Sequence, residues 1–239
     1  MGSGHPNGAT DEARFQQLGT GSRPALDAGV DAVLDAAYGG NAQADSALGR
    51  LRISLIDGDL DGDKDIDRPT MFGTRSFTIW DGVTGKLVFD SGSDFETITK
   101  DRVPSVYNSN GAGPADTRSQ NKGPEPESVV LGDAFGRTFA FIGLERTGGV
   151  MVYDVTSPRH SQFVDYINTG ELAPEGLDFI PASESPTGQP LLVAGFEVSN
   201  QVGVYQLVRT AVPEFGCLSW MAAGSIFGLG IVRLRGRRA

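Results

Sequence analysis

The chain has 239 residues, 39% of them apolar and 33 of them glycine, enough for one large domain or two small ones with a sizeable core. Its formal net charge is −10 although four arginines crowd the last seven residues, and that balance excludes nucleic acid as a partner. The single cysteine, Cys217, excludes an internal disulfide, and without neighbouring Cys/His pairs a structural zinc site has no ligands.

Residues 1–50 read as a loop and helical segment. The first twenty are polar and Gly-rich, with a short helix expected at Asp11–Leu18 and no basic, then apolar, secretory leader. "RPALDAGVDAVLDAAYGG" sets Leu26, Val30, Val33 and Leu34 at helical spacing, with Gly39-Gly40 as the stop. "NAQADSALGRL" predicts a further short helix capped by Asn41.

"DGDLDGDKDID" then places Asp57, Asp59, Asp61, Asp63, Asp65 and Asp67 on alternate residues. Calcium takes 6–8 hard oxygen ligands, and in the EF-hand register Asp57, Asp59 and Asp61 fall at the first three ligand positions with Gly62 at the sharp turn. Arg68 stands where a bidentate Glu belongs, so the expectation is a calcium-type loop that is not an EF-hand, with Asp67 supplying the missing carboxylate. Unneutralised, six such carboxylates would repel one another; the competing reading is a solvated acidic turn.

From Leu51 to about residue 208 the chain turns into short apolar runs separated by Gly, Pro, Asn and Asp: "RSFTIWD", "KLVFDSG", "ESVVLGD", "TFAFIGLE", "GVMVYDV", "FVDYINT", "GLDFIPA", "PLLVAGFE" and "VGVYQLV". This spacing predicts an all-β array of antiparallel sheets. Pro126–Val155 repeats as Pro174–Leu207, with Glu127 matching Glu175, Glu145 matching Glu197 and Tyr153 matching Tyr205 at offsets of 48, 52 and 52. "RSFTIWDGVTGKLVFD" is a weaker third copy, with Trp80-Asp81 in place of Tyr153-Asp154. Periods of about 40–50 residues with three or four strands each are the pattern of propeller blades, so the fold expected is a partial β-propeller of about three blades.

Glu125, Glu127, Glu145, Glu175 and Glu197 recur at blade positions, either lining a central channel as an acid/base pair or serving the repeat by binding backbone amides or an arginine such as Arg146 of the next blade. His5 and His160 both lie in turns and read as surface residues. "GLERTGG" and the long loop Asn108–Glu127 lack the Gly-Lys-Ser/Thr ending of a phosphate loop. Residues 209–239 carry Pro213-Glu214, an apolar stretch at 217–232 and the cluster Arg233, Arg235, Arg237 and Arg238, which predicts an apolar C-terminal helix with cytoplasmic arginines.

The runs from "DEARF" and "ALGRLRIS" through "DGDLDGDKDID", "FGTRSFTIWD" and "GRTFAFIGLERTGGVMVYDVTSP" to "VSNQVGVYQL" resemble the C-terminal part of choice-of-anchor I domain proteins, a bacterial cell-surface β-propeller family. "VPEFGCLSWMAAGSIFGLGIVRLRGRR" resembles a PEP-CTERM sorting signal, with Phe215 where a second Pro is usual. The resemblance implies a chain that begins mid-propeller. It also implies an exported protein on the cell surface or periplasmic side, held in the inner membrane by its C-terminus until an exosortase-like protease processes it. The expected function is binding or scaffolding at the surface or in exopolysaccharide, with polysaccharide or protein as partner and Ca2+ as cofactor. The alternative is a calcium-dependent hydrolase, a phosphoesterase or glycosidase-like enzyme using the channel glutamates.

Overall fold

The computed structural model describes residues 11–73, 75–111, 113–210 and 228–234, the last of these and Thr210 by backbone alone. Two compact units result: Met1–Thr74 with Thr117–Gly123, and Arg75–Asp116 with Pro124–Ala239.

In the first unit, strand β1 (Glu12–Arg14) pairs antiparallel with β2 (Arg52–Ser54), Ala13 opposite Ile53. The two-residue period sends Ala13 and Ile53 inward, where Ile53 packs with Phe15, Leu18, Ala42 and Ile66. Between the strands lies helix α1 (Ala28–Ala37), begun by Asp27, whose Oδ1 accepts the N–H groups of Gly29 and Val30 at 3.0 Å each, and ended before Gly39-Gly40.

Two local expectations in this unit are corrected. Asp11–Leu18 is a strand followed by one 3-10 turn, Phe15–Gln17, because the N–H groups of Phe15 and Gln16 bond Leu51 O (2.8 Å) and Gly49 O (3.0 Å), a tertiary pairing a helix would forfeit. "NAQADSALGRL" forms turns. Asp35 Oδ1 takes the Ala42 N–H at 2.6 Å, and Gly49 lies so close to the Gln43 and Ala44 backbone that a Cβ there would meet Gln43 O at 2.3 Å.

The second unit holds the β-rich part of the chain. A hairpin of β3 (Thr78–Trp80) and β4 (Leu87–Asp90) leads to α2 (Asp94–Arg102), whose acidic first turn and basic last turn suit the helix dipole. Then come β5 (Pro126–Ala134), β6 (Arg137–Leu144), β7 (Val150–Asp154) and β8 (Gln162–Ile167), a four-stranded antiparallel meander. A second meander follows: β9 (Pro174–Ile180), β10 (Leu191–Phe196), β11 (Gln201–Thr210) and β12 (Gly228–Leu234). Each of the nine apolar runs falls on one of strands β3 to β11, and the described fold is mainly β, as small antiparallel sheets with two helices.

The two meanders share one core. Phe139, Phe141, Val150 and Val152 of the first face Leu192, Ala194, Phe196, Tyr205 and Leu207 of the second, and Phe141 stacks on Phe179 with centroids 5.8 Å apart. The opposite face of the first meander, Ala140, Ile142, Leu144, Met151 and Tyr153, packs on Phe95, Phe77 and Ile79 of α2 and the β3 region. Tyr153 and Tyr205, at matching repeat positions and each 1% exposed, therefore point from their own sheet toward the element that precedes it in the chain. Each hydroxyl is tied down there: Tyr153 donates to Asp94 Oδ2 at 2.9 Å, and Tyr205 shares a 3.0 Å bond with Thr169.

The repeat extends to the backbone. Glu125 and Ala173, each preceding the Pro-Glu pair, have φ of +52° and +58°, a strained setting for a residue before proline. In each copy that residue's carbonyl accepts the N–H of the glutamate ending the hairpin strand, Glu145 to Glu125 at 2.8 Å and Glu197 to Ala173 at 2.9 Å. Glu127 and Glu175 are each the unpaired residue of a bulge: Pro126 and Ser128 face Leu144 and Gly143, while Pro174 and Gly176 face Phe196 and Gly195.

The weaker third copy is only the β3–β4 hairpin, and its Trp80 is 60% exposed where Tyr153 is buried. At the C-terminus the expected apolar helix is corrected over its last five residues: Gly228–Leu234 is strand β12, paired antiparallel with Val204–Thr210. The β-branched Ile231 and Val232 favour extension, and β11 offers backbone partners that an isolated short helix lacks. Residues 217–227 lie outside the described residues, and among the described ones no helix is long and apolar enough to cross a membrane.

Candidate functional site

Loop 57–67 is pinned at its C-terminal end by Ile66, 2% exposed, which bridges to Leu26 in parallel. At the other end Gly58 has φ +107° and lies against the Arg68 carbonyl, 2.4 Å from where a Cβ would stand, so only glycine fits. Between these anchors the carboxylates fold the loop on itself. Asp59 accepts the N–H groups of Gly62 (2.7 Å) and Lys64 (3.1 Å), and Asp67 reaches back to the N–H of Leu60 (2.7 Å). One oxygen each of Asp59, Asp61 and Asp67 lies within 4.8 Å of the other two.

The six aspartates therefore divide. Asp57 turns away to accept from Ser54 Oγ at 2.7 Å. Asp63 caps the N–H of Asp65 at 3.1 Å, and Asp65 has one buried oxygen, Oδ1, without a hydrogen-bond partner. Burial first, then the charges of Asp63 and Asp27, push the Asp65 carboxyl up to about 6. A hard cation is what such a loop can hold: three converging carboxylates, a tight glycine turn at Gly62 (φ +89°) and an orphaned buried oxygen two residues before Asp67.

The glutamates form a second cluster within one sheet. Oxygens of Glu125, Glu127 and Glu145 lie within 4.8 Å of one another, and Arg146 clasps two of them, Nε on Glu125 Oε2 and Nη2 on Glu145 Oε1, each at 2.7 Å. Arg146 thus serves its own hairpin and not the next blade. Burial, then the hydrogen bond that the protonated Glu145 donates to Glu127 and the charge of Glu127, raise Glu145 to about 7. The cluster belongs to the first copy alone, because Ala173 and Val198 stand where Glu125 and Arg146 would recur. Glu175 and Glu197 are exposed and line an open surface with Gly176 and Asn200. Buried Thr147 shows the same divergence. Its counterpart Ser199 accepts the Leu172 N–H at 2.9 Å, but the matching residue here is Pro124, which has no N–H, and the Thr147 hydroxyl is left without a partner.

His160 is exposed in the turn Pro158–His160, with Nδ1 3.3 Å from Ser157 Oγ. Arg233 stands opposite Tyr205 in the β11–β12 register, while Pro213, Glu214, Arg235, Arg237, Arg238, His5 and Cys217 lie outside the described residues. Sequence reasoning missed a polar cleft in the first unit, between β1, β2 and residues 117–123, because its walls come from segments about 40 and 70 residues apart in the chain. It carries no motif.

The profile of the Choice-of-anchor I domain matches residues 6–158. Among curated proteins, Gigasin-3a of Magallana gigas is 28% identical over 189 residues, which cover 69% of this chain and 66% of that protein. The Mesenchyme-specific cell surface glycoprotein of Strongylocentrotus purpuratus is 27% identical over 140 residues, 52% of this chain and 18% of its own length. The chain thus spans a little under two thirds of the first relative and under a fifth of the second. No solved structure matches.

Proposed function

The chain belongs to the choice-of-anchor I domain family, and from that premise we propose that it is a cell-surface β-propeller module with a binding or scaffolding role, stiffened by calcium in loop 57–67. The observation that carries this reading is the pair of four-stranded meanders stacked face to face, each turning its repeated tyrosine toward the element before it. Repetition of that step is how blades build a shared core. A surface setting fits the calcium reading, because an extracellular site of three carboxylates binds in the millimolar range where calcium is abundant. Asp59, Asp61 and Asp67 would hold the ion, whose contribution is to neutralise the loop and fix its turn.

For the tail we propose a sorting signal read by an exosortase-like protease, carried by Pro213, Glu214 and the terminal arginines. Strand β12 is then the position its apolar segment takes when no membrane holds it. The glutamates serve the fold: Arg146 clasps Glu125 and Glu145 in one copy, and the other copy does without that clasp.

Titration calorimetry with calcium on chelator-stripped protein tests the central claim. Heat of binding at millimolar calcium that disappears in an Asp59→Asn/Asp67→Asn variant is the expected result. An unchanged signal in that variant, or no heat at all, removes the calcium reading.

A further inference from the structure

The missed cleft is a preformed cavity of about 320 Å³ within the first unit, lined mostly by charged and polar residues whose carbon atoms supply much of its surface, at the lower end of the roughly 300–1,000 Å³ of small-molecule sites. Alternation along the strands explains its chemistry. Ala13 and Ile53 point into the core, so Glu12, Arg52 and Ser54 present the other face of the β1–β2 ribbon. Residues 117–123 close the cavity as a third, irregular rail, fixed to β2 by the Arg52 N–H on Gln120 O at 2.9 Å.

The polar groups hold one another in place. Arg52 bonds Glu12 through Nη1 and Asn121 Oδ1 through Nε at 3.3 Å, while Ser54 donates to Asp57 at 2.7 Å. Lys122 is wedged against Gly73, its Cβ 2.8 Å from where a Cβ of residue 73 would stand. Three carboxylates (Asp11, Glu12, Asp57) and three cations (Arg52, Arg118, Lys122) line the cavity, so it carries no net charge to favour a phosphate or a metal ion. Its carboxylates also form no ligating cluster; among the described residues such clusters occur only at the acidic loop and the glutamate clasp.

What the lining does offer is acceptors and donors side by side: carboxylates, the Asn121 amide, guanidinium groups and a hydroxyl. Vicinal hydroxyls, each both donor and acceptor, are the ligand groups that use such a set without adding charge. Two apolar groups complete it, the half-buried Phe72 ring and Ile56, 71% exposed. They suit the C–H faces of a pyranose ring, and the volume suits one sugar residue.

We propose that this cleft is a glycan-binding site that takes one residue of a neutral polysaccharide. The proposal deepens the binding role given above and rests on it. The full chain, with 2 mM calcium present, is applied to an array of neutral hexose and N-acetylhexosamine oligosaccharides beside uronate-containing and sulfated ones. Binding to the neutral group is expected, weakened at least tenfold by Asn121→Ala and by Ile56→Asp, the latter with its melting temperature unchanged. Ile56 is exposed, so its substitution tests the cleft without threatening the fold. Preference for the acidic sugars, or no binding at millimolar glycan, overturns the proposal. Neutral-glycan binding that both variants retain overturns the cleft while leaving the binding role intact.

Discussion

Gly132 of β5 packs directly under the Phe179 ring of β9, so Gly132→Ala probes the stacking of the two meanders. A Cβ at this position would stand 2.3 Å from Phe179 Cδ2, 2.4 Å from Cγ and 2.5 Å from Cε2, far inside van der Waals contact. The ring has little room to retreat, because it stacks on Phe141, which is fully buried between the sheets. Overpacking of this kind costs about 1–3 kcal/mol. At about 2–4 °C per kcal/mol for a domain of this size, a cost of about 2 kcal/mol lowers the melting temperature by about 4–8 °C. Thermal unfolding followed by circular dichroism, with urea titration alongside, measures it. Phe179→Leu alone loses ring packing and destabilises by about 1–2 kcal/mol. In the double variant the smaller side chain accommodates the new methyl, and the two losses fall short of additive by about 1 kcal/mol. A Gly132→Ala protein that melts within 1 °C of the parent, or strict additivity in the double variant, would refute the stacking register.

If loop 57–67 binds calcium with a dissociation constant of about 1 mM, then 10 mM calcium stabilises the fold by about 1.4 kcal/mol, a rise of about 3–6 °C in melting temperature that Asp61→Asn reduces. Arg146→Ala leaves the Glu125 carboxylate, 2% exposed, without its clasp and destabilises by about 2–3 kcal/mol in urea titration. Glu125→Ala/Arg146→Val, which installs the residues of the second copy, costs less than Arg146→Ala alone, since Ala173 already holds the same positive φ. Glu145 rises from 4.5 to about 7 in the folded chain, so the folded state keeps a proton that the unfolded state releases. Its contribution is complete below pH 4.5 and lost as pH climbs through about 7; stability falls across that window, and Glu145→Gln flattens the slope in pH-dependent melts.

The candidate sites differ in how far the sequence exposes them. Alternating aspartates mark loop 57–67 without saying which carboxylates converge. That division follows from Ile66 and Gly58, which fix the loop's two ends and swing Asp67 back toward Asp59 while Asp57 bonds Ser54. The glutamate repeat likewise draws attention to Glu127 and Glu145, but the residues that distinguish the cluster are Glu125 and Arg146, which the repeat lacks in its second copy.

The sequence by itself determined strands β5 to β11 of the two meanders, their repeat, helix α1 with its Asp27 start and glycine stop, and the acidic loop, because period, turn residues and caps act within a few residues. Tertiary structure alone decided the rest. Glu12–Arg14 became a strand because β2, some forty residues on, offered its backbone; "SDFETITKDR" became helix α2 because Phe95 finds a buried place against the first meander; and Gly228–Leu234 became β12 because β11 offered partners. The polar cleft depends on residues 117–123 returning to β2. In each case the deciding energy comes from hydrogen bonds or burial between segments far apart in the chain, and local propensities of a few tenths of a kcal/mol per residue do not outweigh it.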